Sequence, residues 1–217
     1  MLKLVVFDGG FGGELFADYL ESELPVLDIV RVIDWRNAEQ IFSNAKSARL
    51  AAEKALDPYL NNVDLIIFAN HLLSLTSLKY FRHKYKRQRF VGIELDFKDF
   101  IQKPTLVLTT KAVARTFKYI QILHRHQIKV DMLDDWPTLI DDGELTNHKV
   151  KQDLKTFLLG NSFRPEQVVL GCGQFVDIRS EIVKFFGHNI KIIDGFEPTL
   201  RKICRTLKLR GSLKKTK

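Results

Sequence analysis

Eight short apolar segments, most of them separated by stretches of helical spacing, constrain this chain more than any other feature. The strand candidates are Lys3–Phe7, Ile29–Ile33, Leu65–Ala69, Phe90–Ile93, Thr105–Thr109, Lys129–Leu133, Gln167–Leu170 and Ile190–Ile193. Between them, helical spacing is read over Glu14–Glu23, Ala38–Leu56, Leu73–Tyr85, Val113–Arg125, Lys149–Leu159 and Phe175–Phe186. The apolar runs are continuous rather than alternating, as in a sheet covered on both faces. Strand–helix alternation implies right-handed βαβ units in a parallel sheet. The predicted class is therefore α/β. A run of eight strands divides readily between two sheets, and Pro104, after Phe100-Ile101-Gln102-Lys103, reads as a crossover into a second domain.

A chain of 217 residues, 45% hydrophobic and with 16 Phe, supports a full core. Two cysteines exclude a disulfide framework and fit a reducing compartment. No apolar stretch reaches membrane-spanning length. The N-terminus, Met1-Leu2-Lys3-Leu4-Val5-Val6-Phe7-Asp8, reads as a strand rather than a signal peptide. A soluble cytoplasmic protein with no membrane partner is expected. The formal charge of +8 is concentrated in Lys79–Arg89 and in the tail from Arg201 to Lys217. Such runs are either solvated faces or a surface for an anionic partner such as nucleic acid. No nucleic-acid motif accompanies them, so nucleic acid is not the expected partner.

Two turns carry chemistry. In Val168-Val169-Leu170-Gly171-Cys172-Gly173-Gln174 an apolar strand runs into a glycine-flanked turn. A thiol there faces the crevice of an α/β sheet, where ligands bind, and a following helix N-terminus favours thiolate. The competing reading is a small buried residue that only packs. Cys204, in a basic C-terminal helix, is the other thiol. The first turn, Asp8-Gly9-Gly10-Phe11-Gly12-Gly13, suits close approach of an anion to backbone. Its spacing is not G-x-G-x-x-G, and Asp8 repels phosphate at close range. Asp8 suits an ammonium or the orientation of a catalytic group. The plainer reading is a tight turn with an aspartate N-cap.

This first turn resembles the Asp-Ser-Gly-x-Gly-Gly opening of glutamate racemases and the wider aspartate/glutamate racemase superfamily, with Gly9 at the serine position. The segment Thr110 to Tyr119 is similar to the family's threonine-to-tyrosine segment, with Val113 where a second threonine is usual. Leu170-Gly171-Cys172-Gly173-Gln174 resembles Leu-Gly-Cys-Thr-His. Ile193-Asp194-Gly195 resembles a late Ile-Asp-Ser, and Val91-Gly92-Ile93-Glu94 resembles the end of the first-domain sheet. The resemblance implies a cofactor-independent enzyme of two pseudo-symmetric α/β lobes, 1–97 plus 189–217 and 98–188, flanking a central cleft. It places Asp8, Gly9, Asn70, Thr110, Cys172 and Gln174 at that cleft, where a small carboxylate or amino acid is the expected partner. A homodimer is consistent with the resemblance.

The family chemistry uses two cysteines on opposite faces of the substrate α-carbon, one removing a proton and one returning it. By the resemblance, the first cysteine falls at Ala69 in Phe68-Ala69-Asn70-His71, and the histidine after the second cysteine is Gln174. The family's Pro-Tyr-Gly appears as Glu39-Gln40-Ile41, and its acidic residue as Asp141 or Asp142. Asn70 remains for substrate binding. His71 is a candidate replacement base, or a histidine at the cleft edge without a catalytic role. Three functions stay open. One is a divergent relative that binds a small carboxylate or amino acid without two-cysteine racemisation. Another is a single-cysteine isomerase or decarboxylase with Cys172 as proton donor. The last is a basic nucleic-acid-associated protein.

Overall fold

The computed structural model describes residues 1–93, 95, 102–116, 119–121, 125 and 127–209, without the side chain of residue 43. Glu94, Phe117 and Lys118 of the motifs above, and the tail from Arg210 to Lys217, lie outside the described residues. The chain divides into two compact units, one of residues 1–94 with 195–217 and one of 95–194.

The first unit holds strands β1 (Lys3–Asp8), β2 (Asp28–Ile33), β3 (Leu65–Phe68) and β4 (Phe90–Gly92). All pair in parallel, in the order β2-β1-β3-β4. Its helices are α1 (Phe11–Glu23), α2 (Ala38–Ser43), α3 (Ala45–Leu56) and α4 (His71–Lys84). The second unit repeats the plan. Strands β5 (Thr105–Thr109), β6 (Ile128–Met132), β7 (Gln167–Leu170) and β8 (Lys191–Ile193) form a parallel sheet in the order β6-β5-β7-β8. Around it run α5 (Lys111–Ala114), α6 (Trp136–Asp141), α7 (Asn147–Asn161) and α8 (Arg179–Phe186). The last helix, α9 (Phe196–Leu207), returns to the first unit, where Phe196 packs edge-on against Phe16 of α1 at 5.0 Å.

The strand lengths follow from the apolar runs. Leu4, Val5, Val6 and Phe7 are all buried, as are Leu65, Ile66, Ile67 and Phe68, so both faces of these strands are covered. Val5, Phe7, Ile66 and Phe68 alternate onto one face and meet Ala48, Ala52, Leu73 and Phe81 of the covering helices. Phe68 is the hub, with ring centroids 6.3 Å from Phe7, 4.9 Å from Phe81 and 5.6 Å from Phe90. Burying each such ring contributes about 1.5–3 kcal/mol.

The α/β class with parallel sheets is borne out. The segment 189–194 had been expected with the first lobe, but Val168 and Val169 of β7 pair with Ile192 and Ile193 of β8. That ladder ties β8 to the second sheet, so the chain crosses back at Gly195 rather than at residue 189. The helical stretch read over 38–56 is broken at Asn44. This residue is extended (φ −162°), and its side-chain oxygen accepts from the N–H groups of Lys46 and Ser47, each at 3.1 Å.

Candidate functional site

In both sheets the strand order reverses direction between the first and third strands, between β1 and β3 and between β5 and β7. Ligands of open α/β sheets bind at such switch points, outside the carboxyl ends of the strands. Asp8, Gly9, Asn70, His71, Thr110, Cys172 and Gln174 lie at the ends of these four strands or within the few residues that follow them.

In the first unit, β1 ends at Asp8, which is buried. Its carboxylate Oδ1 accepts from the Gly9 N–H at 2.6 Å and from Asn70 Nδ2 at 3.1 Å. Asp8 is therefore not the N-cap of α1. That position is Gly10, with no side-chain bond, and the aspartate is turned instead toward β3. Gly13 makes this possible: a Cβ there would stand 2.5 Å from Asp8 Cβ and 2.6 Å from Ile33 Cδ1. Asn70 is the N-cap of α4, its Oδ1 accepting from Leu73 N–H at 2.9 Å. The turn is locked further by Ser74, whose Oγ bonds the carbonyls of Phe68 and Asn70 and accepts from Ile93 N–H. His71 begins α4 and is buried.

In the second unit, Thr110 follows β5 and its Oγ1 is 3.5 Å from Val113 N–H at the start of α5. The Lys111 N–H is held more tightly, at 2.6 Å, by Asp134, a residue that the sequence did not mark. Gly171 follows β7. A Cβ there would stand 2.8 Å from both Thr109 Oγ1 and the Tyr119 hydroxyl. Tyr119 is fully buried and bonded to Thr109, and burial pushes its phenol far up, which keeps it neutral. Cys172 comes next and is half-buried. Its thiol donates to Gln174 Oε1 at 2.9 Å. Gln174 is buried, and its Nε2 donates to Asp141 Oδ1 at 3.0 Å and Oδ2 at 3.1 Å. Of the two acids considered from the sequence, Asp141 is the one that reaches this turn. The sequence could not separate them, because both end the same short helix.

One expectation needs correction. The helix after Cys172 is a four-residue 3-10 turn, Gly173–Val176, and α8 starts only at Arg179. The thiol there faces the side-chain carbonyl oxygen of Gln174. The ladders also give Cys172 a counterpart by register in the first unit. Ala69 N–H bonds Phe7 O at 2.9 Å, as Gly171 N–H bonds Leu108 O at 2.7 Å. Register therefore matches Ala69 with Gly171 and Asn70 with Cys172, and both of the latter are N-caps. Ala69, where the resemblance sets the first cysteine, is buried and carries only a methyl group.

The basic segment is partly committed to structure. Arg82 donates through Nε and Nη2 to Phe90 O at 2.9 and 2.7 Å, and Lys84 pairs with Glu53 at 2.7 Å. Among the described residues no helix is long and apolar enough to cross a membrane, and no three His, Cys, Asp or Glu side chains group as a metal site.

No protein-family model matches the chain. It is 24% identical over 225 residues to the glutamate racemase of Bifidobacterium animalis subsp. lactis, covering 96% of this chain and 85% of that protein. The structure of Escherichia coli glutamate racemase, in complex with L-glutamate and the activator UDP-MurNAc-Ala, superposes with a TM-score of 0.82. It is 19% identical and covers 96% of this chain and 83% of that one. Picrophilus torridus aspartate racemase superposes with a TM-score of 0.65 at 19% identity, covering 99% of this chain and 96% of that one.

Proposed function

We propose that this chain, a member of the aspartate/glutamate racemase superfamily, binds a small carboxylate or amino acid, and does not racemise it by a two-thiol route. The observation that carries this reading is Asn70. It holds the place in the first unit that Cys172 holds in the second, and an amide neither takes nor gives a proton near neutral pH. Its side chain is also occupied, with Oδ1 capping α4 and Nδ2 serving Asp8. Asp8 supports an amino acid over a simple anion, because a buried carboxylate beside a ligand favours an ammonium and repels a second carboxylate.

A second reading follows from the contact at Cys172. A thiol that donates is equipped to protonate a carbanion or enolate from one face. In an enolate-forming decarboxylation, the C–C bond to the leaving carboxylate breaks, CO2 departs, and its electron pair becomes the enolate. The Cys172 S–H bond then breaks as a C–H bond forms, and solvent returns the proton to sulfur.

Titration of the protein with D- and L-glutamate and D- and L-aspartate, followed by calorimetry, tests binding. Incubation of the same amino acids in deuterated water, followed by NMR, tests exchange at the α-carbon. Binding of at least one of them without inversion is expected. Inversion at an ordinary racemase rate would overturn the reading and point to His71 or another group as second base. Absence of binding by all four would exclude these amino acids and leave other small carboxylates to be screened.

A further inference from the structure

We infer that Asp141 is a positioning residue that fixes the direction of the Gln174 amide and so presents Cys172 with an acceptor rather than a donor. The inference rests on the reading of Cys172 as a one-face proton donor, but concerns how that thiol is held. A carboxylate has acceptors only. Both Asp141 oxygens take the Gln174 NH2 end, at 3.0 and 3.1 Å, and this turns the opposite end, Oε1, toward sulfur at 2.9 Å. Gln174 is 1% exposed, so reversing it costs a buried group its partner. In the reversed amide, Oε1 would meet a carboxylate and Nε2 would meet sulfur, an arrangement suited to a thiolate. The acid at the end of α6 thus selects between two uses of one cysteine through the amide it holds. Another charge-bearing candidate near sulfur is Tyr119, and its buried phenol stays neutral.

Asparagine at 141 lifts the selection, because its side chain donates as well as accepts. The measurement is the rate of iodoacetamide alkylation of Cys172 against pH, read by mass spectrometry on the ligand-free protein. In Asp141→Asn the midpoint of the profile should fall by about one pH unit, as the amide reverses and supports thiolate. Loss of the Asp141 charge alone would also favour thiolate, so the comparison is repeated with Gln174→Leu. If the acid acts through the amide, Asp141→Asn changes little in the Gln174→Leu background. An equal fall with and without Gln174 would overturn the inference, as would no fall in the single variant. Should Asp141→Asn unfold, Asp141→Ala removes the acceptor outright and carries the same prediction. The readout involves no ligand, so it succeeds or fails independently of whether an amino acid binds.

Discussion

Cys204 lies buried on α9, and burial pushes its thiol up. Cys172 is half-exposed at a turn with glycine on either side. Alkylation of the native protein should therefore modify Cys172 and spare Cys204, despite the basic residues Arg201, Lys202 and Arg205 around the latter. Preferential labelling of Cys204 would show the accessibility to be reversed. At Gly171, any side chain meets the Thr109 and Tyr119 hydroxyls in a closed space. Gly171→Ala should lose about 1–3 kcal/mol of stability in urea unfolding, as overpacked cores do. Asp131 on β6 makes a separate prediction. Burial, reinforced by the charge of Asp153, raises its carboxyl from 3.8 to about 6. The folded state then holds a proton that the unfolded chain has released, so this group weakens the fold as pH climbs from about 4 to 6. Asp131→Asn should be more stable than the parent at pH 7 and indistinguishable from it near pH 4. A constant difference across that range of urea midpoints would contradict the assignment.

Helix boundaries show what a linear reading captures here. The apolar runs located the eight strands of the described residues, most sharply β1 and β3, where both faces are covered, while β2, β6 and β8 are only partly buried and carry charged residues. Asp8, Cys172, Asn70 and Thr110 stood out because each follows such a run, and a strand end leaves few places for the next side chain. The break at Asn44 was hidden inside a spacing that suits helix on both sides, since capping depends on backbone angles that spacing does not encode. Asn44→Ala should lower the unfolding free energy by about 1 kcal/mol of cap energy, read as a lower urea midpoint with an unchanged slope because the surface exposed on unfolding is the same. The partnership of Asn70 with Asp8, 62 positions away in sequence, was equally out of reach, and so was the bond from Asp141 to Gln174. Both depend on strand order, which no local pattern states.

At the scale of the molecule, the charge balance remains the property least tied to the proposed site. Arg82 and Lys84 already serve Phe90 O and Glu53. A duplex DNA titration at physiological salt should give no binding with a steep salt slope, because no nucleic-acid motif accompanies the basic segment. A slope of several units would reinstate nucleic acid as a partner. The repeated strand order has a consequence for engineering. Each unit offers its own graft point, one residue past the third strand's last ladder bond, and the two can be rewritten one at a time. They are not equally tolerant. Grafting a thiol at position 70 removes a helix cap and the amide beside Asp8 in one stroke, so a working transplant there must carry a replacement cap, such as serine or threonine from a neighbouring position, along with the new sulfur.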